Sequence, residues 1–85
     1  MRTINIEFIT PERTFLSTQA QFVVLPGISG ELGILPGHVR LTSLLKPGIV
    51  KVDMEEIVRK LVISNGVARV EPDYIKVFSP TIRWA

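Results

Sequence analysis

The chain has 85 residues, no cysteine, 46% hydrophobic residues and a net charge of +2. This is one small domain with enough apolar residues for a single core, and disulfides and thiolate metal sites are excluded. The Lys and Arg residues are dispersed, with Arg59-Lys60 the only adjacent basic pair, which gives bulk nucleic-acid binding little support. No apolar run approaches the ~20 residues of a bilayer span, and Met1–Glu7 lacks the apolar stretch of a signal peptide. The expectation is a soluble cytoplasmic chain that reaches a membrane only through a partner.

Thr3–Ile9 alternates, with Ile4, Ile6 and Phe8 on one face and Thr3, Asn5 and Glu7 on the other, the period of a half-buried strand. Thr10-Pro11-Glu12-Arg13 reads as a turn because Pro11 pre-sets φ. A capping-box helix starting at Thr10 competes with that reading, and the β-branched and aromatic run beyond it favours strand. Arg13–Leu25 is long and strand-like, opening at Phe15 and closing with Phe22-Val23-Val24-Leu25. The polar Ser17-Thr18-Gln19 predicts a bend or bulge dividing it into two halves. Pro26–Gly30 reads as a loop, and Glu31–Leu35 as a short strand entering a tight turn at Pro36-Gly37. In Val39–Leu45 the spacing of Leu41, Leu44 and Leu45 also suits one helical turn. The segment is short and Pro47-Gly48 ends it, so strand is preferred.

Ile49–Asp53 alternates, Met54-Glu55-Glu56 reverses the chain, and Ile57–Ser64 is a strand centred on Leu61-Val62-Ile63. Asn65-Gly66 is the clearest hairpin signal, since both residues tolerate the positive φ of a type I′ turn. It is expected to join Ile57–Ser64 to Val67–Glu71. Pro72-Asp73 makes the next turn, Tyr74–Phe78 the last strand, and Thr81–Ala85 a tail. Pro-Gly pairs at 26–27, 36–37 and 47–48 punctuate short strands, the pattern of an all-β sandwich or barrel. Because parallel neighbours need crossovers of a dozen or more residues, the sheets are expected to be antiparallel throughout.

Catalytic constellations are missing from the sequence. His38 is the single histidine and has no cysteine or second histidine to share a metal. Nothing sets a serine beside His38 and a carboxylate, and no Gly-Lys-Ser/Thr follows the glycines to make a phosphate loop. Glu55-Glu56 reads as a solvated turn. No enzymatic activity, cofactor or metal is expected.

The most particular stretch is Gly30-Glu31-Leu32-Gly33-Ile34-Leu35-Pro36-Gly37-His38, followed by Leu45-Lys46-Pro47-Gly48. Together with Ile9-Thr10-Pro11-Glu12-Arg13, Phe15-Leu16-Ser17, Ile63-Ser64-Asn65-Gly66, Val70-Glu71-Pro72 and Ile75-Lys76-Val77, it resembles the epsilon-subunit family of bacterial F-type ATP synthases (delta in mitochondria). The resemblance covers nearly the whole chain and implies that family's N-terminal domain, a flattened antiparallel β-sandwich of about ten short strands. It implies a non-catalytic rotor subunit at the foot of the central stalk, on the cytoplasmic side of the bacterial cell membrane. Such a subunit couples proton translocation to ATP synthesis by binding the gamma subunit and the c-ring within the rest of the F1Fo complex. By the same resemblance, Ser29, Gly30, Glu31 and Leu32 are expected at the c-ring, and Thr10, His38 and Ser43 at gamma.

Two departures from the family pattern bear on these expectations. Most members continue into a two-helix C-terminal hairpin that can inhibit ATP hydrolysis and in some bacteria bind ATP. Its acidic and arginine motif has no counterpart in this sequence, so neither property is carried over. Residues 1–80 are accordingly assigned to the sandwich and 81–85 to a tail at the start of that helical region. Asn65 stands where the family usually has glycine and keeps the turn chemistry.

As single residues, Arg40 and Lys46 read as solvated charges, and Trp84 either packs back on the sandwich or meets a partner. The alternative function is a small β-barrel binding single-stranded nucleic acid. It needs a basic face interleaved with aromatics, whereas Phe8, Phe15 and Phe22 fall at apolar strand positions.

Overall fold

The computed structural model describes residues 2–37 and 40–85. Ten strands follow in order: β1 Ile4–Ile9, β2 Thr14–Ala20, β3 Phe22–Gly27, β4 Gly30–Ile34, β5 Leu41–Leu45, β6 Gly48–Asp53, β7 Val58–Ile63, β8 Gly66–Val70, β9 Tyr74–Phe78 and β10 Ile82–Trp84. There is no helix among the described residues. The competing helical readings at Thr10 and at Leu41–Leu45 therefore give way to a turn and a strand.

The alternation in β1 does what its period requires: Ile4, Ile6 and Phe8 are buried, and Asn5 is exposed. The same rule sets Val50 and Val52 of β6, Leu61 and Ile63 of β7, Ala68 and Val70 of β8, and Ile75 and Val77 of β9 into one core. Their burial is the main stabilising term. Hydrogen-bonded neighbours run β10-β7-β6-β3-β5-β8-β9-β1-β2, with β4 added to β3. β3 meets β5 only through Gly27 and Leu45, whereas it pairs with β6 over Phe22–Val24. The order therefore folds at that single pair into two layers, β10-β7-β6-β3-β4 and β5-β8-β9-β1-β2. The result is a sandwich with extents of 32 × 24 × 20 Å.

Four expectations need correction. β1 and β9 are parallel, Asn5 facing Tyr74 and Ile9 facing Phe78. The crossover that a parallel pair needs is supplied by the intervening strands, since β1 and β9 are remote in sequence. The bend expected at Ser17-Thr18-Gln19 is absent. Those residues pair regularly with Glu7, Ile6 and Asn5, and the register shift comes earlier in β2: Phe8 faces Leu16 and Ile9 faces Thr14, which leaves Phe15 as the extra residue. β2 ends the strand order, so its polar side chains are solvated without a bend, and the break in the long segment falls at Gln21.

Asn65-Gly66 is not a hairpin. β7 pairs with β6 and β10, and β8 with β5 and β9. The chain passes there from one layer to the other, and neither residue has positive φ. Finally, Ile82–Trp84 is no tail: it forms β10, antiparallel to Leu61–Ile63 of β7.

The layer crossings at 64–65 and 79–81 are tied together by Ser79, the one buried polar residue among those described. Its Oγ lies 2.9 Å from the Asn65 carbonyl and 3.1 Å from the Thr81 carbonyl, and it shares a 3.1 Å hydrogen bond with Ser64 Oγ. The Ser64 N–H donates to the Thr81 carbonyl at 3.1 Å, and the Thr81 N–H donates to Ser64 Oγ at 3.3 Å. A hydroxyl that can both donate and accept satisfies backbone groups that neither sheet can reach.

Candidate functional site

Pairing register carries the outward side chains of one layer into a continuous row. Leu44 of β5 faces Val67 of β8, Val67 faces Phe78 of β9, and Phe78 faces Ile9 of β1. Neighbouring positions on the same strands, Leu45, Ala68, Val77 and Phe8, are buried, so the row must point outward. Leu44 is 57% exposed and Phe78 42%. The row floors an open groove of about 480 Å³, closed at its sides by Thr10, Pro11, Asn65, Gly66, Ser79 and Pro80. Large exposed apolar side chains that adjoin in this way mark contact surfaces more often than isolated ones do.

The turn after β1 sets one wall. Thr10 Oγ1 donates to the Arg13 carbonyl at 3.0 Å and accepts the Arg13 N–H at 3.2 Å, while the Thr10 N–H donates to the same carbonyl at 2.8 Å. Thr10, expected at gamma, thus stands in the groove. Ser43, expected beside it, is half-buried; its pairing partner is the core residue Ala68, so it lies on the inward side of β5. The outward residues of that strand are Thr42 and Leu44. His38 lies outside the described residues.

The residues expected at the c-ring gather on the β3–β4 hairpin. Gly27 faces Gly30, Pro26 faces Glu31 and Leu25 faces Leu32, with Ile28-Ser29 as the turn. Gly30 closes this turn with φ at +139°, a conformation side chains rarely adopt. Gly27 permits its tightness, since a Cβ there would lie 2.5 Å from the Gly30 carbonyl oxygen. Ser29, Gly30 and Glu31 are exposed together, whereas Leu32 turns inward and packs against the core. The Ile28 N–H donates to the Leu44 carbonyl at 2.9 Å. The hairpin tip therefore adjoins the end of the apolar row, and Ile28, 61% exposed, extends it. Leu44, Phe78 and Ile28 were not singled out from sequence, because an outward apolar residue reads like a core residue until register is known.

Arg40, just before β5, and Arg69 of β8 share one carboxylate. Glu71, mostly buried, takes Arg40 Nε at 2.5 Å and Arg69 Nε at 3.5 Å. The Gly37 N–H donates to the Pro72 carbonyl at 2.8 Å. These contacts anchor Gly37 after β4 and Arg40 before β5. No group of His, Cys, Asp and Glu suited to a metal occurs among the described residues.

Comparison with known proteins accords with this geometry. The chain is 43% identical over 82 residues to the ATP synthase epsilon chain of Bordetella avium and 39% identical over 82 residues to that of Delftia acidovorans. Each alignment covers 95% of this chain but only 58% and 59% of the relative, so the chain spans well under two thirds of their length. The same fold occurs in a chain of the Euglena gracilis mitochondrial ATP synthase (OSCP/F1/c-ring), with TM-score 0.90 and 24% identity, covering 96% of this chain and 53% of that one. It recurs in the Tetrahymena thermophila mitochondrial ATP synthase central stalk and c-ring, with TM-score 0.80 and 12% identity, covering 96% and 66%. These matches give no support to the nucleic-acid alternative. The domain described as the ATP synthase delta/epsilon chain beta-sandwich domain matches residues 3–85, and the chain belongs to that family.

Proposed function

We propose that this domain is a non-catalytic element of an ATP synthase rotor, binding the gamma subunit through the apolar groove and meeting the c-ring with the β3–β4 hairpin. The observation that carries the proposal is the outward row Leu44–Val67–Phe78–Ile9 on a chain of this family. An apolar groove with a polar rim suits stable association with a protein partner, because burial drives it and the rim sets orientation. Thr10 is the rim residue through which gamma would be oriented, and His38 and Ser43 are the further gamma contacts proposed.

At the hairpin, Glu31 presents a carboxylate at an exposed tip beside Ser29 and Gly30, a form suited to a polar, positively charged loop rather than to lipid. Leu32 supports that tip from the core side. The structural relatives belong to an OSCP/F1/c-ring assembly and to a central stalk with its c-ring, which favours the same two partners here. In this reading the domain makes and breaks no bonds; its part in coupling proton flow to ATP synthesis is mechanical. It stays at the membrane, on the cytoplasmic side in a bacterium, by way of the c-ring.

Co-expression of the chain with a bacterial gamma subunit tests the reading. A stable complex that survives gel filtration is the expected result. Folded chain that elutes free of gamma would overturn the proposal.

A further inference from the structure

The two outer faces of the sandwich handle charge differently. On the β5-β8-β9-β1-β2 layer, Arg69 reaches Glu71, and Lys76 stands opposite Glu7 in the parallel β1–β9 pair. On the other layer, Lys51 of β6 and Lys60 of β7 are directly opposite each other. Both are exposed, and their neighbours Val50, Val52 and Leu61 are fully buried, so both ammonium groups share the outward face. Arg83 of β10 faces Val62, and Val62 faces Ile49. This places a third exposed cation on the same face, one row away. Lys51, Lys60 and Arg83 make no ion pair among the described residues, where the pairs found are Arg40–Glu71 and Arg69–Glu71.

Like charges directly opposite across antiparallel strands destabilise a sheet. Here the cost is incurred at the centre of a layer, around half-buried Val62 and the 47% exposed Ile49. We propose that the outward face of β10-β7-β6 docks an acidic protein segment, its carboxylates meeting Lys51, Lys60 and Arg83 and its aliphatic side chains covering Val62 and Ile49. The charge complementarity selects an anion, and the aliphatic centre selects a peptide. Single-stranded nucleic acid needs aromatic stacking among the cations, and the aromatic side chain of this face, Phe22, lies half-buried with its ring against Gly33. This surface is separate from the apolar groove, but Val24 faces both Lys51 and Gly33, so it adjoins the outer face of the β3–β4 hairpin; the inference does not depend on the rotor reading.

The test is titration of the isotope-labelled chain with poly-L-glutamate, followed by amide chemical shifts. The expected result is salt-sensitive shifts confined to β6, β7 and β10. Lys60→Glu places a carboxylate opposite Lys51, so it should raise the melting temperature while weakening poly-glutamate binding by about tenfold. Lys51→Gln, which only removes a charge, should weaken binding less and serves if the reversal perturbs the fold. Shifts centred on Arg40 and Arg69 would overturn the proposal. So would unchanged affinity in both folded variants, or tighter binding of single-stranded DNA at the same residues.

Discussion

Phe15 and Trp84 touch, with ring centroids 5.4 Å apart and planes inclined by 50°. Phe15 belongs to β2 and Trp84 to β10, the first and last strands of the hydrogen-bonded order. An aromatic contact therefore closes the sandwich where no backbone pairing does. Arg59 lies 4.1 Å from the Trp84 ring centroid, and Arg13 lies 5.8 Å from that of Phe15. Trp84→Ala is expected to destabilise the domain by about 1–2 kcal/mol through the lost ring pair and cation contact. Urea denaturation followed by circular dichroism measures this. Because Trp84 is the only tryptophan, Phe15→Ala should also red-shift the native fluorescence.

Ser79→Ala should cost about 1–2 kcal/mol, since it removes a buried hydroxyl that links the Asn65 and Thr81 carbonyls to Ser64 Oγ; the Thr81 carbonyl keeps the Ser64 N–H, so the Asn65 carbonyl bears the main loss. Ser79→Thr keeps the hydroxyl and should recover part of the loss if the added methyl is tolerated. The comparison of urea midpoints for the two variants separates the hydrogen bonds from the volume of the side chain.

Two glycines are predicted to fail for different reasons. Gly66→Ala drives a methyl into the Phe78 carbonyl, a backbone atom that cannot swing away. It should cost about 3 kcal/mol or more. Gly30→Ala meets nothing within 4 Å but must hold φ at +139°, so a smaller loss of about 1–2 kcal/mol is expected from backbone strain alone. Thermal melts of the two variants rank them.

Leu44→Glu and Phe78→Ser place polar groups in the groove at positions already exposed, so the fold should be retained while co-purification with gamma falls at least tenfold, about 1.4 kcal/mol. Glu31→Lys reverses charge at the hairpin tip and should leave gamma binding intact while reducing association with the c-ring. Quantitative pull-down from one preparation reads both, and equal loss of both partners in either variant would count against the division of surfaces.

Strand positions were legible because period-2 burial is local: Ile4, Ile6 and Phe8 announce their own face. What each strand pairs with was not. Asn65-Gly66 has the composition of a hairpin turn, yet it links strands in different layers, and its glycine is required by the approach of the Phe78 backbone. Ile82–Trp84 is too short to show alternation and becomes a strand only because β7 offers an edge. The candidate site suffered the same limit. Thr10 and Glu31 were found through resemblance, but the row that makes a groove beside Thr10 is assembled from four strands whose register no single segment encodes.

The parallel seating of β1 on β9 has a consequence for synthesis. β1 leaves the ribosome long before its β9 partner, so one flank of β1 stays open until Tyr74–Phe78 emerges. Pairings this distant in sequence slow folding, and an unpaired apolar strand invites association with neighbouring nascent chains. The newborn domain therefore has most need of a chaperone, or of its assembly partner, in the interval before its ninth strand is made.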